Sequence, residues 1–162
     1  MICGQDPYPD MRYADGLAFS VPSTIKTFPK TLQAIFSELV SDLHIKHPSA
    51  GCLEPWAKQG VLLWNVIPSC EVAKPLSHDW TEWSYLTIEI LRKLSGRGVV
   101  FVFLGGVARE FVPYLPVSEV VIQLTHPSPR VPVKAKNPFL GSRVFSTINA
   151  EILGDPIDWS LP

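Results

Sequence analysis

The amino-acid sequence predicts an α/β fold, with three αβα layers and a central four-stranded parallel sheet. Four short apolar segments alternate along the chain with stretches in which apolar residues recur at helical spacing. Three of these segments are continuously apolar, which is typical of strands covered on both faces. Strands that alternate with helices pair in parallel through right-handed crossovers. The 162 residues contain no repeat or linker, so we expect one domain over residues 1–162.

The predicted strands cover residues 1–3, 61–63, 99–104 and 120–124. Each is followed by polar or glycine residues, namely Gln5 and Asp6, then Asn65, then Gly105 and Gly106, and finally Thr125 and His126. In an open parallel sheet, ligands bind at the carboxyl ends of the strands. These residues are therefore expected to converge on one edge of the sheet.

Three longer helices are predicted from apolar spacing. The first has Thr31 as its expected N-cap. The second follows Asp79 or Thr81 and ends before Gly96 and Gly98. Its core-facing side is predicted to contain Trp83, Leu86, Ile90, Leu91 and Leu94. The last helix is expected over about residues 142–153, with one apolar face made of Phe145, Ile148 and Ile152.

The bulk composition excludes some classes of protein. A net charge of −1 is unusual for a nucleic-acid binder, although helix N-termini or a local patch can still hold phosphates. Three scattered cysteines (Cys3, Cys52 and Cys70) favour a reduced, intracellular setting over a disulfide framework. No signal peptide or membrane span is predicted. His44 and His47 lack a convincing third ligand, so neither metal nor cofactor is predicted.

Two motifs point to a specific chemistry. Residues 4–8 read Gly-Gln-Asp-Pro-Tyr directly after the first strand, and residues 126–129 read His-Pro-Ser-Pro directly after the fourth. An isolated Asp-Pro usually just begins a turn, and a lone buried histidine is usually structural. Together with residues 16–21, 60–65 and 156–159, however, the motifs resemble those of family-1 uracil-DNA glycosylases. The resemblance implies hydrolysis of the N-glycosidic bond of deoxyuridine in DNA, releasing uracil and leaving an abasic site.

The resemblance also implies roles for individual residues. Asp6 matches the aspartate that orients the attacking water and faces the developing positive charge on the sugar. His126 matches the histidine that hydrogen-bonds uracil O2 as the base leaves. These two are the predicted catalytic residues, and the predicted uracil pocket consists of Gln5, Tyr8, Phe19 and Asn65.

Three pocket residues have distinct predicted tasks. Tyr8 would lie against uracil C5, where thymine carries its methyl group, and Phe19 would stack on the flipped base. The Asn65 amide can accept from uracil N3–H and donate to O4. Cytosine offers the opposite pattern at both positions, so this one side chain could spare normal DNA.

DNA backbone contacts are predicted at small residues and exposed amides near this edge: Pro29, Thr31, Gly105, Gly106, Pro127, Ser128, Pro129, Arg130 and Ser146. Lys134, Lys136 and Arg143 form either a positive patch for DNA or merely solvated surface charges. The expected partners are uracil-containing DNA, single- or double-stranded, and free uracil as product. A monomer is expected, with a protein partner or a preceding segment of chain as further interaction candidates.

The chain departs from the family pattern at four places. Only three residues precede Gly4, where the family usually has a helical segment of several dozen residues. Pro9 replaces a common histidine, as in the poxviral branch, and Gly106 replaces a serine. Arg130 stands where most members have a leucine that wedges into the duplex.

Two other functions are compatible with these departures. One is a non-catalytic DNA-binding or replication-scaffold protein that retains the fold, which intact Asp6, Asn65 and His126 argue against. The other is an enzyme acting on a different base, such as mismatched thymine or hypoxanthine, which Tyr8 and Asn65 together argue against.

Overall fold

A computed structural model describes residues 1–78, 80–128, 131 and 135–162. Four strands form one sheet: β1 (Ile2–Gly4), β2 (Leu63–Asn65), β3 (Val100–Leu104) and β4 (Val120–Leu124). Their order is β2-β1-β3-β4, and every neighbouring pair is parallel. The predicted four-stranded parallel sheet is confirmed.

The described residues also form five helices and a short 3-10 turn, of which α5 follows the last strand and the others lie between strands. They are α1 (Lys30–Leu43), α2 (Glu54–Lys58), α3 (Trp80–Leu94), α4 (Gly106–Arg109), the 3-10 turn (Val112–Tyr114) and α5 (Val144–Glu151). The sequence did not predict α2, α4 or the 3-10 turn, because elements of three to five residues are too short to show an apolar period.

Two apolar clusters pack on opposite faces of the sheet, which gives the three layers. Side chains alternate along each strand, so Ile2, Leu63 and Val102 face the cluster that contains α1, α2 and α5. Cys3 and Phe103 face the other cluster, with α3 and α4. Since β1 and β3 occupy the centre of the sheet, the residues that follow them emerge at the middle of the molecule.

The structure corrects two predictions about the strands. The second strand lies two residues later than predicted, so Asn65 is its last residue and pairs with Gly4 instead of following the strand. The bounds of β4 agree with prediction, but only Leu124 is buried there and Val120 is 38% exposed. Because β4 is an edge strand, its continuous apolar run does not mean cover on both faces.

The helix predictions also need correction. Helix α1 begins at Lys30 with Pro29 at the N-cap, so Thr31 lies inside the first turn. Leu86, predicted to face the core, is 42% exposed, and the fully buried Thr87 takes its place. The Thr87 hydroxyl accepts a bond from Trp64 Nε1 (3.0 Å) and donates to the Val66 carbonyl (2.9 Å), which ties α3 to the end of β2.

The last helix is shorter than predicted, and its N-terminus is held by buried carboxylates of α1. Glu38 accepts bonds from the backbone N–H of Arg143 (2.7 Å) and of Gly141 (2.5 Å). Asp42 accepts from the backbone N–H of Ser146 (2.9 Å) and from its hydroxyl (2.5 Å). These carboxylates cap a helix whose sequence supplies no cap of its own.

Removing the Glu38 carboxylate should destabilise the fold. Glu38 is 2% exposed, and Glu38→Ala removes the acceptor that the backbone N–H groups of Gly141 and Arg143 share. We expect a loss of about 2–4 kcal/mol in the free energy of unfolding, measured by urea titration. The matched control is Glu54→Ala, which removes a solvent-exposed pair with Lys58 and should cost at most about 1 kcal/mol. Equal losses in the two variants would contradict the capping role.

Candidate active site

The candidate site lies at the carboxyl edge of the sheet, where β1, β2 and β4 end. Pairing continues past the strands, since Ile67 N–H donates to the Gln5 carbonyl (2.9 Å) and Val66 N–H donates to that of Gly4 (3.0 Å). These bonds hold the chain after β1 beside the end of β2. They place Gln5 and Asp6 next to the strand end that carries Asn65.

Both predicted catalytic residues line one cleft of about 110 Å³. Its lining includes Gln5, Asp6, Tyr8, Phe19, Thr31 and His126. These positions are as much as 121 residues apart in sequence, counted from Gln5 to His126. The fold therefore gathers the predicted catalytic pair and three of the predicted pocket residues.

Asn65 lines an adjoining cavity of about 60 Å³, which shares Pro7, Tyr8 and Phe19 with the cleft. Gly4 lies between the Phe19 ring and the Asn65 side-chain amide. A Cβ atom added to Gly4 would come within 2.7 Å of Phe19 Cζ and 2.8 Å of Asn65 Oδ1. The absence of a side chain at Gly4 is thus what lets Phe19 and Asn65 approach each other.

Both carboxylate oxygens of Asp6 accept hydrogen bonds. Oδ1 accepts from Gln5 Nε2 at 3.0 Å, and Oδ2 accepts from the backbone N–H of Leu76 at 2.7 Å. Two donors from different loops fix the orientation of the carboxylate while leaving it partly exposed to the cleft. Sequence reasoning missed Leu76, because it lies 70 residues from Asp6 and in no recognisable motif.

Tyr8 and Phe19 hold each other in place. The Tyr8 hydroxyl donates to the Phe19 carbonyl at 3.1 Å, and Phe19 adopts a left-handed backbone conformation with φ of 67°. Such a conformation is strained for an aromatic residue and requires support from its surroundings. Burial, aided by the negative charge of Asp15, raises the pKa of Tyr8 well above its usual value, so the phenol remains neutral.

The turn that carries Phe19 is fixed by Asp15. Its carboxylate accepts bonds from the Leu17 N–H (3.2 Å) and the buried Ser20 hydroxyl (2.5 Å). Ser20 Oγ in turn accepts from the Leu53 N–H at 2.9 Å. Asp15 was not among the residues predicted from the sequence, although the Asp-Gly pair that it forms with Gly16 is a turn signal.

His126 packs beside Phe19 and against Gly105. The His126 and Phe19 ring centroids are 6.3 Å apart. Gly105 has φ of 101°, and a Cβ atom there would lie 3.2 Å from the His126 Cβ, so this close approach favours glycine. Burial lowers the pKa of His126, and the negative charge of Asp6 opposes that shift only in part. The imidazole is therefore neutral at neutral pH.

Because the pKa of His126 is lowered, the free energy of unfolding is expected to depend on pH. Just below pH 6.5 the unfolded chain takes up a proton at this residue that the folded chain resists, so the fold loses stability as pH falls. We expect His126→Gln to reduce the loss in unfolding free energy between about pH 7.5 and pH 5.5, measured by urea titration at both values. The exposed His44 supplies the control variant, His44→Gln. A pH dependence unchanged by His126→Gln would contradict the prediction.

In the part of the chain that the structure describes, neither the Asn65 amide nor the His126 ring forms a hydrogen bond with protein atoms. Both groups are partly exposed, so they are available to a ligand.

Among the described residues, no cluster of three His, Cys, Asp or Glu side chains could hold a metal ion. No described helix is long and apolar enough to cross a membrane.

The predicted DNA contacts are only partly gathered at the cleft. Thr31 lines it, and Gly105 touches His126. Gly106 is exposed at the start of α4, whereas Pro127 is buried. Pro29 caps α1, and the Ser128 N–H donates to the His126 carbonyl at 2.8 Å.

Ser146 lies on α5, where its hydroxyl donates to Asp42. The structure therefore gives this hydroxyl a bond within the fold, and its contact with DNA stays a prediction. Arg143 lies 3.7 Å from Asp42, and Lys136 is exposed. Pro129, Arg130 and Lys134 lie outside the described residues.

Comparisons with known proteins agree on one family. A model of the uracil DNA glycosylase superfamily matches residues 1–152. The uracil-DNA glycosylase of Parafrankia sp. is 38% identical over 167 residues, which cover 100% of this chain and 72% of that protein. That of Thermobifida fusca is 39% identical, with coverage of 100% and 72%.

Solved structures agree with the sequence relatives. The crystal structure of mimivirus uracil-DNA glycosylase superposes with a TM-score of 0.86 at 28% identity. The match covers 99% of this chain and 67% of the mimivirus chain.

Proposed function

The chain belongs to the uracil DNA glycosylase superfamily, and we propose that it is a DNA-repair glycosylase in which Asp6 and His126 catalyse release of uracil from deoxyuridine. The observation that carries the proposal is the cleft that Asp6, His126, Tyr8 and Phe19 line together. The reaction hydrolyses the N-glycosidic bond and leaves an abasic site in DNA.

Asp6 would act at the sugar. Breaking the glycosidic bond places positive charge on the deoxyribose ring, and a fixed carboxylate nearby stabilises that charge. The same carboxylate can accept a hydrogen bond from a water molecule and orient it toward C1′. Bonds from Gln5 and Leu76 fix the carboxylate before the substrate arrives, so little reorganisation is needed during reaction.

His126 would act at the leaving base. As the bond breaks, negative charge develops on uracil and is shared with O2. A neutral imidazole donates one hydrogen bond to that oxygen, which grows stronger as the charge develops. The lowered pKa of His126 favours this neutral form, so the residue would stabilise the uracil anion as a hydrogen-bond donor.

Base selection would depend on the cavity next to the cleft. Phe19 offers a ring for the extruded base to stack on, and Asn65 offers an unpartnered amide to its Watson–Crick edge. Tyr8, held by its bond to the Phe19 carbonyl, would exclude the thymine methyl group. A rigid ring rejects this methyl more strongly than a deformable apolar pocket can.

The partner is DNA that contains deoxyuridine, single- or double-stranded, and the enzyme would act as a monomer inside the cell. Extruding a base from a duplex costs a few kcal/mol, and less from a single strand. Activity on single-stranded DNA is therefore expected to equal or exceed activity on duplex DNA.

Uracil release from a single-stranded oligonucleotide with one deoxyuridine tests the proposal. Alkali cleaves the resulting abasic site, so the product is a shortened strand on a denaturing gel. Oligonucleotides with thymine or cytosine at the same position are the matched controls. Cleavage at deoxyuridine alone is expected. A folded chain that binds DNA but releases no uracil would instead favour the non-catalytic scaffold.

A further inference from the structure

The loop over residues 69–78 is joined to the loop that carries Asp6. Three contacts connect them: Leu76 N–H to Asp6 Oδ2 (2.7 Å), Ala73 N–H to the Pro9 carbonyl (2.9 Å), and Cys70 Sγ to the Pro7 carbonyl (3.7 Å). We name residues 69–78 the covering loop.

Internal bonds also close the covering loop. The Ser69 hydroxyl and His78 Nδ1 are 2.7 Å apart, which brings its two ends together. The Glu71 N–H donates to Ser77 Oγ at 2.6 Å. The covering loop is therefore a compact loop with joined ends, which presents its outward side chains in a fixed position.

The covering loop exposes two large apolar side chains, beside the exposed ion pair of Glu71 and Lys74. Leu76 is 49% exposed and Val72 is 60% exposed. Leu76 also has φ of 58°, a conformation that glycine adopts without cost and that is strained for leucine. The protein thus keeps a large apolar side chain in solvent, on strained backbone, beside the proposed catalytic carboxylate.

The hydrogen bond from the Leu76 N–H to Asp6 determines which part of a bound DNA strand Leu76 can contact. Reacting atoms must come within about 3–3.5 Å of each other, so the sugar of the deoxyuridine has to approach Asp6 closely. The Leu76 backbone nitrogen is 2.7 Å from the same carboxylate. DNA placed for reaction therefore comes close to the backbone of Leu76. The exposed, uncharged leucine side chain suits a sugar or base face better than a phosphate.

We propose that Leu76 is a DNA-contacting residue that packs against the nucleotide next to the extruded deoxyuridine. This inference rests on the proposed function and adds a binding residue outside the recognised motifs. Apolar side chains that enter a base stack help to keep a distorted strand open. Leu76 would act in this way from the covering loop, in which Val72 is a second exposed apolar side chain.

The first test compares Leu76→Ala with wild type in steady-state uracil release from duplex DNA. We expect KM to rise about tenfold with little change in kcat, as for loss of a contact made equally in the ground and transition states. Leu153→Ala is the matched control, because Leu153 is 91% exposed and lies beside Gly98, far from the cleft. It should behave as wild type.

A second comparison separates DNA contact from an effect on Asp6. Two shortened substrates are used, one that begins and one that ends at the deoxyuridine, so each lacks the neighbouring nucleotides on one side. The rise in KM caused by Leu76→Ala should disappear on the substrate that lacks the nucleotide that Leu76 contacts. Leu76→Gly, which relieves the backbone strain, should raise KM on duplex DNA as much as Leu76→Ala does.

The outcomes are distinguishable. A defect of full size on both shortened substrates would show that Leu76 acts through Asp6, and the inference would be overturned. Unchanged duplex kinetics would also overturn it, and would favour a protein partner on this surface. Failure of wild type to release uracil would instead overturn the proposed function.

Discussion

Asp6→Asn should lower kcat/KM for uracil release by about 10³, the loss expected when a positioned group that stabilises transition-state charge is removed. The substitution keeps the shape of the side chain, and an amide oxygen can still accept from Leu76 N–H or Gln5 Nε2. It removes the negative charge that faces the sugar cation and halves the number of acceptor oxygens. Single-turnover release from a single-stranded deoxyuridine oligonucleotide measures the effect on chemistry.

The same loop provides the control for this variant. Asp10 is four residues further along and forms an exposed ion pair with Arg12. Asp10→Asn should leave the rate within about twofold of wild type, since exposed pairs contribute little. Similar losses in both variants would indicate a general effect of loop charge on DNA binding. A near wild-type rate for Asp6→Asn would contradict its catalytic role.

Some residues of this site can be predicted from the sequence and others cannot. The difference lies in how far along the chain each residue's hydrogen-bond partners are. Asp6 and His126 each lie two residues beyond the end of an apolar strand, and parallel strands bring their carboxyl ends to one edge. Strand ends and topology therefore suffice to predict that they converge. The resemblance of the short motifs then supplies the chemistry, without any knowledge of side-chain contacts.

The supporting residues could not be predicted in this way. Glu38 caps backbone that lies 103 and 105 residues further along the chain, and Leu76 bonds to Asp6 across 70 residues. No local spacing encodes such pairs, because they exist only once the sheet has formed. The same limitation explains Thr87, a polar residue on a predicted apolar helix that is buried because two partners at β2 satisfy its hydroxyl.

The error in the second strand shows a further physical limit. The apolar run predicts a strand at residues 61–63. The strand that pairs with Ile2–Gly4 is Leu63–Asn65, two positions later. Val61 is buried without joining the sheet, so burial alone does not define a strand. The register instead follows from packing around Gly4, where the lack of a Cβ atom leaves room for Phe19 and Asn65.

Asn65 should carry most of the discrimination between uracil and cytosine. Its amide accepts from uracil N3–H and donates to O4, whereas cytosine presents an acceptor and a donor at those positions. A site built for such bonds rejects the mismatched base by about 10⁴–10⁵, because its own polar groups stay unpaired. In Asn65→Asp, a protonated carboxyl group would donate to cytosine N3 and accept from N4–H, which reverses the pattern.

We therefore expect Asn65→Asp to lose about 10³ in kcat/KM for uracil and to release cytosine at a measurable rate, so that the preference ratio falls to about 10 or less. Parallel assays on oligonucleotides that differ only in the target base measure this ratio. The control is Asn137→Asp, which makes the same exchange at an exposed residue whose carbonyl accepts from the Thr125 N–H, next to His126. This variant should keep the wild-type preference. If Asn65→Asp keeps that preference as well, the selectivity must come from the shape of the Tyr8 and Phe19 walls, since no other Asn or Gln side chain of the described residues lines this cavity.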